Sequence, residues 1–323
     1  MRSLEEPAPD GAGRAFGVTL GARRLAGSAI PAMACGMSYT LGVLGGSGLY
    51  EMEGLSNVSE VDIDTPFGRP SDVLVKGTLA NGTTLLFLPR HGRGHRIPPH
   101  EINYRANVCA LKKAGATHLV SVSAVGSMRE EIEPGHLVVP DQFIDLTKKR
   151  ISTFFENGIV GHVPFADPTC KLLGAALADA ADRSGAHVHR GGTYICMEGP
   201  QFSTRAESRV YRTWGVSVIG MTSMPEAKLA REAELPFATL ALATDYDCWH
   251  DAHDAVTVEQ VVATMKKNVA SAKKTLIELA SLLPDPAKSI AYRCTKGAIM
   301  TSPSAVTQDA RERLGWLLGD SLG

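Results

Sequence analysis

The chain has 323 residues, 44% of them hydrophobic and 21% charged, with a formal net charge of −1. That is enough chain for one large α/β domain or two smaller ones. So even a balance of charge gives no electrostatic ground for a nucleic-acid or membrane partner, and no window approaches 18 consecutive apolar residues, which argues against a membrane-spanning helix. Cys35, Cys109, Cys170, Cys196, Cys248 and Cys294 are scattered without CxxC or CxxxC spacing. The scatter speaks against a metal knuckle or a disulfide framework and for reduced thiols in a cytoplasmic protein.

In chain order, residues 1–36 are rich in Gly, Ala, Pro and Arg and show no helical or strand period. They lack the apolar stretch of a signal peptide and read as a loosely ordered extension, with Met37 a candidate start of the folded chain. From there to 285, short apolar runs alternate with amphipathic segments, the pattern of a single α/β domain. Strands are predicted at 40–44, 72–79, 83–88, 118–123, 137–139, 191–197, 216–220 and 236–243, and helices at 100–114, 169–184, 203–213, 224–234 and 258–283. The first helix follows Pro98-Pro99 and stops before Gly115. In the last, Val258, Val261, Val262, Met265, Val269, Leu276 and Leu279 recur at three- to four-residue spacing. The segment 286–323 is a less patterned C-terminal extension; 304–318 suits a short helix, with no clear signal for packing on the core.

Five strand ends carry polar chemistry. The first closes on Gly45-Gly46-Ser47-Gly48, whose backbone N–H groups and hydroxyl suit an anion. This is neither the dinucleotide fingerprint, since the sixth position from Gly46 is Glu51, nor a Walker loop, since no Gly-Lys-Ser/Thr follows; a plain tight turn is the alternative. Arg90-His91 end the third strand, where sites of α/β proteins gather. Arg90 offers a planar fork for phosphate and His91 a further donor. His91, His95 and His100 invite a metal reading, but the Gly- and Pro-rich segment provides no common face and no carboxylate or thiol completes the set, so no metal is expected. Ser123 and Ala124 end the fourth strand with small residues that let a ligand approach the backbone. Met221-Thr222 end another, offering an apolar contact and a hydroxyl. Glu226 beyond them reads as a helix-start carboxylate.

The strand 236–243 runs out onto Asp245 and Asp247, a pair whose mutual repulsion needs a proton or a donor-rich ligand to relieve it. Phe202, after a Gly-Pro turn, is either a core plug or a stacking face. Donors for an oxyanion on four strand ends and acceptors on the fifth suit a substrate pair, one anionic and one a heterocycle bearing N–H groups. The residues alone leave two readings open, a phosphate-using α/β enzyme and a nucleotide-binding module.

The ordered motifs GGSGLY, TPFGRPSD, RHGRGHRIPPHEINYRAN, SAVGSMREE, DQFIDLT, EGPQFSTRAES, GMTSMPEAKLARE and ATDYDCW resemble the trimeric purine nucleoside phosphorylase family, and within it the branch that cleaves 5′-methylthioadenosine. The resemblance covers about residues 40–285. It implies one α/β domain with a central twisted mixed β-sheet flanked by helices, in a homotrimer with sites near subunit interfaces. It implies phosphorolysis of 5′-methylthioadenosine to adenine and 5-methylthioribose 1-phosphate, with inorganic phosphate as co-substrate and no cofactor; the alternative is a 6-oxopurine nucleoside or methylthioinosine phosphorylase, and a non-catalytic nucleoside binder of the same fold is a third reading.

By the same resemblance Ser47, Arg90, His91, Ser123, Ala124 and Thr222 bind phosphate, Met221 packs on ribose, and Phe202, Ser203, Asp245 and Asp247 contact the base. His162 matches a histidine lent to a neighbour's 5′ pocket, and Val258 and Val262 match positions lining the methylthio pocket. The chemistry then expected is attack of phosphate at C1′ with departure of adenine. Asp245 and Asp247 share a proton, with Asp245 the donor to N7. The carboxylate pair favours a 6-amino group. One departure stands out: relatives in this branch often have Asn where this chain has Gly220, and the lost side chain is expected to enlarge the ribose region. Ser47 and Ser123 in place of Thr keep the hydroxyl.

Overall fold

The structure is a computed structural model that describes residues 39–46, 48–49, 52–250 and 258–319, the side chains of 258–262 excepted. Ser47, the extension 1–36 and the side chains of Val258 and Val262 therefore lie outside the described residues. The described residues form one mixed sheet of 11 strands, with helices on both faces. Its spine is β1 (Thr40–Gly45), β4 (Thr84–Pro89), β5 (His118–Ser127) and β11 (Phe237–Tyr246). β1 pairs parallel with β4 and β5, and β11 pairs parallel with β5. These strands are buried almost throughout, with β1 and β4 nearly all apolar, as burial on both faces demands.

The sheet forks at β5. β11 pairs along nearly all of its ten residues, while on the other edge β1 pairs with His118–Ser121 and β10 (Val218–Gly220) then pairs antiparallel at Gly126 and Ser127. One branch continues through β10 to β9 (Thr193–Cys196) and β7 (Gln142–Asp145); the other runs from β11 to β6 (Leu137–Val139) and β8 (Val188–Arg190). β2 (Ser56–Val61) and β3 (Leu74–Thr78) extend the edge beyond β4. The fork brings the carboxyl ends of β1, β4, β5, β10 and β11 to one place.

One face is packed by α1 (Tyr104–Lys113) and α4 (Ser223–Glu232), the other by α2 (Lys171–Arg183) and α5 (Val258–Leu279). α1 starts four residues later than the spacing predicts because Asn103 caps it, accepting from the Ala106 N–H at 3.1 Å. α3 (Arg205–Thr213) opens on a capping box between Thr204 and Glu207. All eight predicted strands and five predicted helices are present, with ends moved by a few residues.

The tail differs from expectation. Residues 308–318 form α6 (Gln308–Leu318), and Val306, Ala310, Leu314 and Leu318 are buried in the same cluster as α1 and α4. Trp316 packs edge-on against Phe154 and Phe67. The apolar spacing 306, 310, 314, 318 is one helical stripe, which is the signal for burial on this face. Among the described residues no helix is long and apolar enough to cross a membrane, and the five described cysteines are free.

Candidate active site

The converging strand ends enclose a cavity of about 530 Å³, within the range for small-molecule sites. Its wall includes Gly46, Arg90, His91, Ser123, Ala124, Phe202, Met221, Thr222, Asp245 and Asp247. Ten residues scattered over two hundred positions of sequence thus meet in one place.

Arg90 anchors one end. Its backbone N–H donates to Gly45 O at 3.0 Å, continuing the β1–β4 ladder. The guanidinium is 2% exposed. Nη2 donates to Leu44 O (2.6 Å) and Ser121 Oγ (2.9 Å), Nη1 to Thr222 Oγ1 (2.8 Å), and Nε lies 2.9 Å from Glu226 Oε1. These contacts commit most of the fork to the protein, so Arg90 cannot grip an anion with two free N–H groups as its side-chain type suggests. It supplies buried positive charge and orients the Thr222 hydroxyl, which accepts from Arg90 and keeps its own proton to give.

A chain of hydroxyls continues from there. Ser123 Oγ is 3.1 Å from Thr222 Oγ1 and 3.1 Å from Tyr194 Oη, each pair free to choose its donor. Rotating hydroxyls beside a buried guanidinium, with Ala124 and Gly46 bringing backbone to the wall, form a receptor for a compact oxyanion.

Glu226 is the residue sequence reasoning misjudged. It is fully buried, pairs with Arg90, and accepts from Ser121 Oγ at 2.6 Å. Burial pushes its carboxyl up, while Arg90 and Ser121 pull it back. It fixes Arg90 rather than capping a helix, and nothing in the linear sequence links the two positions.

His91 also departs from expectation. Its Nδ1 sits 2.9 Å from Ile97 O, and its ring stacks on His95 with centroids 4.3 Å apart. Burial first, and Arg90 beside it, lower its pKa to about 4. A carbonyl only accepts, so Nδ1 carries the proton and Nε2 presents a lone pair. His91 is therefore a neutral acceptor rather than a further donor.

At the other end the strand β11 breaks its register between Ala243 and Asp245. The bulge turns Thr244 inward, where its hydroxyl reaches Val125 O (3.2 Å) and Asp245 Oδ2 (2.6 Å). Asp247 is 8% exposed and accepts from Ser208 Oγ of α3, while its backbone N–H donates to Ser127 O at 3.1 Å. Gly126 makes room for both: a Cβ there would lie 3.3 Å from Asp245 Oδ1 and 3.3 Å from the Asp247 Cβ. Burial raises the Asp245 carboxyl; Thr244 opposes the shift and Asp247 adds to it. Among the described residues each carboxylate bonds a hydroxyl of its own, Thr244 or Ser208, instead of the other carboxylate. Burial thus favours the protonated form of Asp245 relative to an exposed carboxyl.

Phe202 is 81% exposed on the cavity rim, which rules out the core-plug reading. Met221 lies on the wall, with its carbonyl and those of Met197, Glu198 and Met224 all accepting from Arg150. The Arg150 side chain is wholly buried and also pairs with Glu198 at 3.0 Å. It ties the Glu198-Gly199-Pro200 loop to the Met221 turn, a role with no signal in its KKR context. Ser203 stays outside the cavity, its hydroxyl directed at Met197 Sδ (3.5 Å). His162 is exposed and away from this cavity, its backbone N–H donating to Ala298 O. From α5, Met265 and Val269 line the wall.

Gly220 does not leave the empty space expected of it. A Cβ at that position would fall 2.0 Å from Tyr194 Oη and 2.6 Å from its Cζ. Tyr194, fully buried, fills the volume and extends the hydroxyl chain to Ser123.

The fold and this cavity fit one class of protein. Residues 40–281 match the Phosphorylase superfamily, and the chain belongs to that family. A curated relative from Geobacter sulfurreducens, S-methyl-5′-thioadenosine phosphorylase, is 56% identical over 284 residues, covering 88% of this chain and 99% of the relative. One of the same name from Hyperthermus butylicus is 53% identical over 257 residues, 79% of this chain and 93% of the relative. Among solved structures, a methylthioadenosine phosphorylase from an Antarctic soil metagenomic library superposes with a TM-score of 0.83 at 47% identity, covering 87% of this chain and 99% of that one. A Schistosoma mansoni adenosine/methylthioadenosine phosphorylase mutant in complex with methylthioadenosine gives 0.76 at 35% identity, over 81% and 99%.

Proposed function

We propose that this cavity cleaves the N-glycosidic bond of 5′-methylthioadenosine with inorganic phosphate, giving adenine and 5-methylthioribose 1-phosphate. The observation that carries the reading is one cavity with an oxyanion end (Arg90, Ser123, Thr222) and a carboxylate end (Asp245, Asp247), walled between them by Met197, Met221, Leu242, Met265 and Val269. Such a wall suits an apolar thioether. Names and bound ligands of the relatives agree with it.

Phosphate sits on the hydroxyls of Ser123 and Thr222 and on backbone N–H groups, beside the buried charge of Arg90. His91 Nε2 accepts from a protonated phosphate oxygen or a ribose hydroxyl. As the bond at C1′ stretches, positive charge grows on the ribosyl ring next to the phosphate dianion, and phosphate oxygen closes on C1′. The leaving adenine takes up negative charge at N7. Asp245 gives its proton there, and a carboxylate oxygen accepts from the 6-amino group. Ser208 keeps Asp247 aligned for that contact. Phosphate is the only co-substrate in this scheme and no cofactor enters it.

We further place the enzyme in the cytoplasm as a homotrimer, in which exposed His162 reaches a neighbouring 5′ pocket. The deciding experiment follows free base from methylthioadenosine, adenosine, inosine and methylthioinosine, with and without phosphate. Adenine from methylthioadenosine only with phosphate supports the proposal. Preference for the two 6-oxopurine nucleosides overturns the base assignment, and hydrolysis without phosphate overturns the oxyanion site.

A further inference from the structure

The motif HLVV and the segment HVHR were absorbed by no part of the proposed chemistry, yet the fold sets them side by side. β6 and β8 pair in parallel with Leu137 opposite Val188 and Val138 opposite His189. His136 and His187 immediately precede the two strands, so the register places them opposite one another, and His189 returns to the same face two residues on. Their rings form a compact trio: His136 and His187 stack with centroids 4.0 Å apart, and His189 lies 5.2 and 5.1 Å from the other two. One ring nitrogen from each falls within 4.8 Å of the others. None of the three lines the catalytic cavity.

The geometry points to a binding site for one divalent transition-metal ion of the zinc class, held by His136, His187 and His189 with a fourth position left for water. His136 Nδ1 and His189 Nε2 are 3.0 Å apart. Two ligands of a tetrahedral zinc stand ~3.3 Å apart, from bond lengths of 2.0–2.1 Å. The Glu133 backbone N–H donates to His136 Nδ1 at 3.1 Å, so that nitrogen carries a lone pair and the proton between the rings belongs to His189. A metal takes the place of that proton, which moves to His189 Nδ1 by a change of tautomer, so the neutral ring binds without becoming an imidazolate. Side-chain rotation of the exposed His187 brings in the third nitrogen.

The rings are suited to the task. Burial, reinforced by the neighbouring imidazoles, holds both His136 and His189 below the ordinary histidine range, in the neutral form that binds metal. Glu131 and Glu133 bring negative charge to the trio and Lys267 positive charge. Three imidazoles with no thiolate suit zinc, nickel or copper rather than magnesium or calcium. The site clamps the β6–β8 edge, and β6 is bonded to β11 just before its catalytic carboxylates, through Gly135 N–H to Ala243 O at 2.8 Å and Ala243 N–H to His136 O at 3.0 Å.

The test uses the full chain without an affinity tag, stripped of metal and titrated calorimetrically with zinc chloride at neutral pH, with magnesium chloride as control. One zinc ion per chain, no magnesium heat, and affinity lowered at least roughly tenfold in His187→Ala and in His189→Ala support the site. His187 is at the surface, so His187→Ala keeps the wild-type melting temperature without zinc, while zinc raises that of the wild type alone. Cobalt(II) gives a second reading: tetrahedral visible bands in the wild type, lost in His187→Ala. No zinc uptake by the wild type at millimolar metal, or equal uptake by both variants, overturns it.

Discussion

The two ends of the cavity are built on opposite plans. At the oxyanion end the polar groups hold one another: Arg90 is bound by Glu226, Ser121, Thr222 and a backbone carbonyl, all inside the protein. At the base end, among the described residues, Asp245 accepts from one hydroxyl and Asp247 from one hydroxyl and, at 3.8 Å, the Cys248 thiol, and the rim is the exposed ring of Phe202. A dianion demands a charge and donors fixed in advance, because reorganising them during the reaction would cost what their attraction returns. A proton donor demands the reverse, a carboxyl with few partners, so that burial raises it and favours its protonated form. Rigid satisfaction at one end and deliberate shortfall at the other follow from the two halves of one reaction.

Replacing the donor tests the base end most severely. Asp245→Asn keeps size and the Thr244 contact but removes the transferable proton, and kcat with methylthioadenosine should fall by about 10²–10⁴-fold. Turnover within a factor of two of wild type would place the acid elsewhere.

Glu226→Gln tests the oxyanion end. Removing one partner of a buried pair leaves Arg90 uncompensated, a loss on the order of 3–5 kcal/mol. Phosphate brings the missing negative charge, so the rise in melting temperature on adding phosphate should be larger for Glu226→Gln than for the wild type. Equal phosphate-induced rises would show that Glu226 is structural filler and no counter-ion.

Gly220→Ala probes the seam between the ends. Its Cβ would overlap the Tyr194 hydroxyl, and overpacking of that kind costs about 1–3 kcal/mol. Adding Tyr194→Val should recover part of the lost melting temperature while raising the KM for phosphate, because Ser123 loses its hydroxyl partner. A double variant less stable than the sum of its parts would break this account.

Strand ends made much of the site readable in advance. TTLLFL followed by Pro89-Arg90-His91, and TLALA followed by Thr244-Asp245, announce polar groups at the carboxyl edge of a sheet whichever way the sheet is ordered. What escaped was whatever depends on a partner far along the chain. Glu226 reads as a helix-start carboxylate until β4 places Arg90 against it. Tyr194 reads as strand core until Gly220 shows the space it takes. His91 reads as a donor until Ile97 O claims Nδ1. The three missed strands have another cause: β2 is exposed along nearly its whole length, β7 is four residues of mixed polarity and β8 has one apolar residue in three, so none shows an apolar period.

Helix α4 carries the comparison beyond the cavity. Glu226 and Glu232 both lie buried on it, but among the described residues only Glu226 pairs with a cation; Glu232 accepts from the Phe154 N–H (2.6 Å) and Thr153 Oγ1 (2.7 Å). Burial outweighs those two donors and lifts its carboxyl to about 7. A carboxyl raised on folding binds its proton more tightly in the native state, so its contribution to stability is complete below about pH 4.5 and disappears as pH rises through about 7. Between pH 6 and 8 that amounts to about 1 kcal/mol. Glu232→Gln, which cannot ionise and still accepts from Phe154, should flatten the fall in melting temperature over this interval. An unchanged slope would mean that Glu232 titrates at the ordinary carboxylate value, and that two backbone and hydroxyl donors can replace an arginine in holding a buried charge.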